Sequence, residues 1–423
     1  MDVFKFGGAS VKDAGGVKNV EKILRMHADK KLIVVVSAMG KTTNALERLC
    51  EAFFYKKEDA LSILNEIRIF HLQILSDLFE DPNDSVFEDF HNTFVELEWA
   101  LDGNPAYSYD QEYDQIVSLG EILATKIIAA YLNKSGLPAQ WRDVRDFIRT
   151  DDNFREGKVD WELTSQNIKE SLLPFFQKED GKIVVLQGFL GVTSENFTTT
   201  LGREGSDYTA SIMAYCSDAE SVTIWKDVPG VLNADPKWFD ETKLIEMLSY
   251  QDAIELSYYG ATVIHPKTIK PLQNKNIPLY VKSFLMPSEP GTVISNAQST
   301  LPVPCFIFKV NQVLISISPK DFSFIVEENM SRIFKLFAEH GVKINTMLNS
   351  AISFSLCVDN SERQIPVLIK ALQEEYRVLY NDSLELITIR YYDQPTIDRV
   401  CLGKKVFLEV KSRYTVQIVV KDL

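Results

Sequence analysis

Cysteine is sparse, and no two cysteines form a C-x-x-C pair. Cys50, Cys216, Cys305, Cys357 and Cys401 are odd in number and scattered, and the five histidines are equally dispersed. Structural zinc, any other resident metal site and a disulfide framework are therefore not expected. A reducing compartment fits, so the expected location is cytoplasmic. Long apolar runs are missing too. No window of about 18 uncharged apolar residues occurs, so no membrane span is expected. The opening Met-Asp-Val-Phe-Lys-Phe reads as a strand and lacks the basic-then-apolar layout of a signal peptide. Basic residues are outnumbered, 45 Lys and Arg against 59 Asp and Glu, for a formal net charge of −14. Such a surface repels nucleic acid and anionic lipid, so neither is an expected partner. An anionic substrate must then meet a local island of Lys and Arg.

A complete P-loop is also absent. Gly40-Lys41-Thr42 follows an apolar strand and precedes a helical pattern. The motif G-x-x-x-x-G-K-[ST] needs a glycine at position 35, where Val35 stands. The loop 37–41 is too short to wrap a triphosphate with successive backbone N–H groups. Any phosphate chemistry has to be built another way.

What is present is a globular composition, 45% hydrophobic over 423 residues. At roughly 100–200 residues per domain that length suggests two or three domains. Apolar runs at 2–6 and 32–37 each end in small residues and lead into helical patterns at 17–28 and 43–54. This alternation marks an α/β sheet. Residues 45–101 read as helical throughout. Leu61, Leu64, Ile67, Leu72, Leu75 and Leu78 recur at helix spacing, as do Phe87, Phe90, Phe94, Leu97 and Leu101 after Asp81-Pro82-Asn83-Asp84. We read a helical hairpin inserted into the sheet domain over 45–115, its aromatics packing against the core. The alternation resumes with a helix at 116–133, a strand at 183–190, a helix at 206–216, a strand at 221–226, a helix at 249–259 and a strand at 278–282.

After a Pro/Ser/Gly cluster at 286–291 the character changes. Strands at 304–310, 313–317, 342–348, 351–358, 377–380 and 384–392, with helices at 329–340 and 361–374, give the βαββαβ rhythm of a ferredoxin-like module. The expected fold is α/β, an open, mostly parallel sheet sandwiched by helices over 1–295, followed by α+β modules. One module covers 313–382. The other combines 301–312 with 383–423 and is shortened, with one helix around 399–408 before a last strand at 416–420.

Four clusters fall where strands of such a sheet would end, the edge at which α/β sheets bind ligands. Lys5-Phe6-Gly7-Gly8-Ala9-Ser10 joins a strand lysine to glycines, either an ordinary turn beside a solvated lysine or a place where backbone N–H groups approach phosphate. Ser37 to Asn44 ends a buried strand and opens a helix, where Thr43 or Asn44 is either an N-cap or a phosphate or carboxylate ligand. Thr198 to Asp207 is a run of hydroxyls leading into Gly-Arg-x-Gly-Ser-Asp. There Arg203 is suited to a two-pronged grip on a carboxylate, and Asp207 to capping the helix or orienting a cation. Trp225 to Lys237 is a strand end and a loop with two Asp-containing turns, fit to cradle a nucleotide or simply to turn the chain.

Taken together, "KFGGAS", "SLGE" at 118–121, "QGF" at 187–189, "TTTLGREGSDYTA" at 198–210, "DVPGVLNADP" at 227–236 and "YGATVIHPKTI" at 259–269 resemble the aspartate kinase family of the amino-acid-kinase superfamily. The resemblance covers nearly the whole chain. It implies transfer of the ATP γ-phosphoryl group to the side-chain carboxylate of L-aspartate, the first step of lysine, threonine and methionine biosynthesis. It implies that Lys5 stabilises the moving phosphoryl group, that Gly7, Gly8 and Ser37 line the phosphates, and that Asp207 organises this end. Ser37, Thr43, Glu121, Phe189, Arg203 and Ser206 would hold aspartate, with Arg203 on a carboxylate and Glu121 on the α-ammonium. Lys226, Asp227, Leu232, Lys237 and Thr262 would lie at the nucleotide, and Mg²⁺ would travel with ATP. Ala9, Glu204, Lys226, Lys237 and Thr262 depart from the family pattern, and Lys226 is the candidate to compensate at Thr262. None of these removes a principal catalytic group, so an active enzyme is expected.

The C-terminal region resembles the family's paired ACT domains, which implies a homodimer and an amino-acid effector, lysine or threonine. At the effector loop Asn345 and Ser350-Ala351 stand where Asp and Ser-Glu are usual. An effector ammonium loses two carboxylate partners, so weak or absent inhibition is expected. The alternatives are another carboxylate kinase, acting on acetylglutamate or glutamate, and a non-catalytic ACT sensor.

Overall fold

The structure, a computed structural model, describes residues 1–178, 181–239, 241–261, 264–297, 303–321 and 323–423. These residues form two compact units. One comprises 1–231, 246–254 and 263–298, and the other 232–245, 255–262 and 299–423, as far as they are described. Two stretches that precede residue 295 thus group with the second unit.

The first unit is built on ten strands: β1 (Asp2–Phe6), β2 (Leu32–Val36), β3 (Gln140–Trp141), β4 (Ile183–Gln187), β5 (Leu190–Val192), β6 (Thr198–Thr200), β7 (Ser221–Lys226), β8 (Met247–Ser249), β9 (Leu279–Ser283) and β10 (Thr292–Ser295). Eight of them form one sheet in the order β3-β4-β2-β1-β7-β9-β10-β8. Every neighbouring pair is parallel except β9–β10. β1, β2 and β4 are buried at every position. Strands covered on both faces read as unbroken apolar runs, which is why "LIVVV" and "IVVLQ" look as they do. The open, mostly parallel sheet expected from the sequence is therefore present. Its carboxyl edge carries the ends of β4, β2, β1 and β7 side by side, which gathers Gly188, Ser37, Gly7 and Lys226.

The insertion differs in detail from the sequence expectation. The turn at 81–84 separates two helices of the expected hairpin, but the segment holds three helices, Thr42–Tyr55, Ala60–Leu78 and Ser85–Leu101. The additional break comes at Lys56, which takes a left-handed backbone with φ 53°, followed by Asp59 capping the next helix. The helix expected at 116–133 is two, Tyr109–Val117 and Leu119–Lys134, meeting at Ser118. The span Tyr109–Lys134 is long and apolar enough to cross a membrane by composition alone, but 72% of its apolar window is buried inside the fold. Its apolarity is core packing: Ile116, Val117, Leu123, Ile127, Ile128 and Leu132 belong to the main hydrophobic cluster.

The second unit is a six-stranded antiparallel sheet. Its strands are β11 (Cys305–Pro319), β12 (Ile344–Asn349), β13 (Phe354–Asp359), β14 (Tyr376–Arg390), β15 (Lys404–Lys411) and β16 (Thr415–Asp422), in the order β12-β13-β11-β14-β16-β15. Helices Glu327–Glu339 and Gln364–Glu375 complete the strand–helix–strand–strand–helix–strand order. Where the sequence suggested separate strands at 304–310 and 313–317, and at 377–380 and 384–392, β11 and β14 each run 15 residues without interruption. The turn-like residues are absorbed as irregularities of register between Lys309 and Leu314, with Asn311 and Ser383 at positive φ. The helix expected around 399–408 is also corrected. The helix is Gln394–Cys401, and after Gly403 (φ 73°) the alternating "KKVFLEVK" forms β15, paired with β16.

Candidate active site

The cleft is built by backbone contacts that leave no room for a side chain. A Cβ on Gly8 would stand 2.6 Å from the Ala38 carbonyl oxygen, so the turns after β1 and β2 can meet only because residue 8 is glycine. A Cβ on Gly188 would stand 2.4 Å from Ser206 Cβ, which brings the end of β4 against the start of the helix Gly205–Ser217. Between them Phe189 holds φ 71°, a conformation that bulky residues rarely adopt. It is held from both sides: its N–H donates to Thr209 Oγ1 at 2.9 Å and its carbonyl accepts the Leu201 N–H at 2.8 Å. This break is why the strand expected at 183–190 ends at Gln187.

At the carboxyl end of β1, Lys5 Nζ lies 2.6 Å from Asp207 Oδ1, and Lys226 Nζ lies 3.6 Å from Asp207 Oδ2. Asp207 stands in the first turn of its helix, where the helix dipole favours a carboxylate. Burial alone would raise its pKa. The charges of Lys5 and then Lys226 overcome burial and hold it below the ordinary carboxylate value. Removing one member of such a buried set typically costs about 3–5 kcal/mol, because a charge is left unpaired.

Glu121 is the opposite case. It opens the helix Leu119–Lys134, is 3% exposed, and accepts the Ala38 N–H on Oε1 at 3.2 Å. Among the described residues its Oε2 has no partner. Burial pushes its pKa up to about 8, offset only in part by the Ala38 hydrogen bond and by Lys5. At neutral pH it is a largely protonated acid facing a cleft, and an arriving cation would ionise it.

The cleft has a volume of about 780 Å³, and Lys5, Ser37, Thr43, Glu121, Phe189, Arg203, Ser206, Asp207 and Lys226 all line it. The structure therefore brings together every residue singled out for the acceptor and for catalysis. The nucleotide set divides. A Cβ on Gly7 would stand 3.5 Å from Lys5 Nζ, which puts that glycine beside the Lys5 ammonium, while Gly8 serves the turn contact described above. Asp227 is exposed and is not among the lining residues. Leu232 and Lys237 belong to the second unit, and Thr262 lies outside the described residues. Lys41 is exposed, with Gly40 at φ 56° and the Thr42 hydroxyl donating to the Met39 carbonyl at 2.6 Å, a helix start and no phosphate loop. In the second unit Asn345 accepts from Lys309 Nζ at 2.8 Å and donates to Gln312 Oε1 at 2.8 Å and Asp359 Oδ1 at 3.0 Å. Ser350 pairs with Ser353 in a local turn, 2.7 Å between hydroxyls.

Sequence reasoning missed part of the lining. Glu47, Asp110, Tyr113, Phe154, Arg155 and Glu156 also face the cleft. With them it holds four basic residues (Lys5, Arg155, Arg203, Lys226) and six acidic ones (Glu47, Asp110, Glu121, Glu156, Glu204, Asp207). The island of Lys and Arg anticipated from net charge is thus a mixed surface, suited to a molecule carrying both signs. The only local signal was the unusual density of charge in "RTDDNFREG" at 149–157.

Residues 2–283 match the model of the amino acid kinase family. The chain is 31% identical to lysine-sensitive aspartokinase 3 of Escherichia coli, over 96% of this chain and 90% of that protein. It is 30% identical to bifunctional aspartokinase/homoserine dehydrogenase 2 of Arabidopsis thaliana, over 88% of this chain and 42% of that protein, so it spans less than half the length of that relative. Crystal structures of E. coli aspartokinase III, one in complex with lysine and aspartate (T-state) and one with aspartate and ADP (R-state), superpose with TM-score 0.83 at 26% identity over 99% of this chain. They cover 95% and 96% of the aspartokinase III chain respectively. The chain belongs to the amino acid kinase family. The E. coli relative is an aspartokinase, and the Arabidopsis relative is a bifunctional aspartokinase/homoserine dehydrogenase.

The raised pKa of Glu121 has a testable sign. Between the unfolded value of about 4.5 and the folded value of about 8, the folded state holds a proton that the unfolded state has lost. Folding is penalised increasingly as pH rises through that window, by about 1.4 kcal/mol for each pH unit. Glu121→Gln removes the penalty. Its Tm should exceed that of the wild type at pH 8, with the difference shrinking toward pH 4.5, as measured by calorimetry across that range. Equal differences at both ends would refute the assignment.

Proposed function

We propose that the chain is an aspartate kinase, joining ATP and L-aspartate to give ADP and 4-phospho-L-aspartate. The observation that carries the reading is a buried lysine ammonium, Lys5, fixed by Asp207 in the same cleft as the carboxyl of Glu121, whose Oε2 has no partner among the described residues. The first suits a phosphoryl group in transfer and the second suits the α-ammonium of an amino acid. Similarity to E. coli aspartokinase III, solved with aspartate and ADP, supports both halves.

An aspartate side chain, with an ordinary pKa of about 3.9, is already ionised at neutral pH, so the attacking oxygen needs no general base. It forms a bond to the γ-phosphorus while the bond from phosphorus to the bridging oxygen breaks, and that electron pair leaves on ADP. The obstacle is repulsion between two anions, so catalysis is positioning and charge neutralisation. Lys5 and Lys226 meet the phosphoryl end, and Asp207 holds them there. Gly7 and Ser37 border the phosphates, and Asp227, Leu232 and Lys237 remain candidates for the nucleoside end. Arg203 takes an acceptor carboxylate, helped by Thr43, Phe189 and Ser206. Among the described residues no three His, Cys, Asp or Glu side chains converge to hold a metal. Mg²⁺ would enter as part of the ATP substrate, bound by phosphates and water. A cytoplasmic location belongs to the same proposal, supported by five free cysteines.

A panel of aspartate, glutamate and acetylglutamate, assayed by coupled ADP release, tests the reaction. Aspartate should be the preferred acceptor, and Lys5→Ala should lower kcat by orders of magnitude in a folded protein. Preference for another acceptor, or unchanged turnover in Lys5→Ala, would overturn the assignment.

For regulation, we infer a homodimer formed through the second unit and a weak or absent response to lysine and threonine. Asn345 spends its carbonyl on Lys309 and its amide on Gln312 and Asp359. It offers no charge to an effector ammonium. Isothermal titration should detect no micromolar binding of either amino acid, and micromolar binding of one would contradict the inference.

A further inference from the structure

Asp114 lies on the helix Tyr109–Val117, fully buried, and does not line the cleft. Its carboxylate nevertheless gathers three donors from two other segments. Oδ2 accepts the Arg155 backbone N–H at 2.8 Å and the Thr200 backbone N–H at 2.9 Å, and Oδ1 accepts the Thr200 hydroxyl at 2.7 Å. The adjacent Gln115 completes the pattern. Its Nε2 donates to the Thr198 carbonyl at 2.9 Å and its Oε1 accepts the Thr198 N–H at 3.2 Å. β6 pairs with β5 on one side. On the other side, where a further strand would lie, two helix side chains meet the Thr198 N–H and carbonyl and the Thr200 N–H.

Both anchored segments carry residues of the cleft. Arg155 has φ 67°, a left-handed backbone that an arginine adopts only under constraint. Its guanidinium lies 4.3 Å from the centre of the Tyr113 ring and 3.2 Å from Asp110. Thr200 leads through Leu201 and Gly202 to Arg203. The two segments also touch: the Gly157 N–H donates to the Thr200 carbonyl at 2.9 Å, and a Cβ on Gly202 would stand 3.3 Å from the Arg155 carbonyl oxygen.

We propose that Asp114 is a positioning residue: it fixes the Arg155 turn and the Thr200–Arg203 segment against each other, and so sets how tightly the cleft holds its amino-acid acceptor. The proposal rests on the aspartate-kinase reading given above. Three converging donors call for a group that only accepts, which an ionised carboxylate is. An asparagine would keep one oxygen for the two N–H groups but turn an NH₂ toward Thr200 Oγ1, so that the third contact reverses, the hydroxyl now accepting, and the other two lose the charge of a carboxylate acceptor. An alanine would orphan both backbone donors.

Steady-state kinetics of the wild type, Asp114→Asn and Asp114→Ala, varying aspartate and ATP separately, test the idea. In Asp114→Asn the KM for aspartate should rise three- to tenfold, with kcat within twofold and the KM for ATP unchanged. In Asp114→Ala the KM for aspartate should rise more than tenfold. If the alanine variant does not fold, the asparagine variant decides alone. An unchanged aspartate KM in Asp114→Asn overturns the proposal. So does a parallel loss of kcat and ATP affinity, which would mark a general disturbance. A wild type that does not phosphorylate aspartate instead sinks the functional reading, and this proposal with it.

Discussion

Asp207 is buried between Lys5 and Lys226, and its ionisation is what keeps two ammonium groups together at the ends of adjacent strands. Two lysines in a protein interior repel each other and resist desolvation. A carboxylate between them reverses both effects, provided its own burial is compensated, and the depressed pKa of Asp207 says that it is. The result is a corner of concentrated positive charge. In a chain with net charge −14, an anionic ligand meets attraction only where such a corner is built.

The rest of the cleft follows from holding that corner open. Gly8 lets two turns touch, Gly188 lets the β4 end reach the helix that carries Asp207, and Phe189 is kept in a left-handed backbone between them. Strain of this kind persists where surrounding hydrogen bonds over-determine it. Glu121 contributes the other half of the logic. Burial raises its pKa to about 8 against the partial pull of Lys5, and its Oε2 has no hydrogen-bond partner among the described residues, so the cleft holds a latent negative charge beside a fixed positive one. A zwitterionic acceptor satisfies both, which a purely anionic one does not.

Much of this was legible in the sequence, for identifiable reasons. Strands covered on both faces leave unbroken apolar runs, and glycines at backbone contacts leave motifs. Both signals are local, so β1, β2, β4, β7 and the cleft residues Lys5, Arg203 and Asp207 stood out. What was not legible depends on the third dimension. The break at Lys56 carries no glycine or proline to mark it. Asn311 and Ser383 look like turn residues, yet a twisted sheet takes them up as irregularities within single strands. Lys404 to Lys411 alternates weakly because only Leu408 is deeply buried. Asp114, Tyr113 and Arg155 resemble a solvated helix face and a polar loop, and nothing nearby in the chain tells that Thr198–Thr200 lies across from them.

The central claim is that Lys5 and Lys226 leave their shared carboxylate only as far as is needed to meet the phosphoryl group. A crystal structure with ADP, aspartate and a fluoroaluminate in place of the moving phosphoryl group tests it most directly. Both lysine ammonium groups should lie within hydrogen-bonding distance of that group or of the adjoining phosphate oxygens, about 2.7–3.2 Å, with Glu121 on the aspartate ammonium. Ligands seated away from both lysines, with Lys5 and Lys226 still directed only at Asp207, would contradict it.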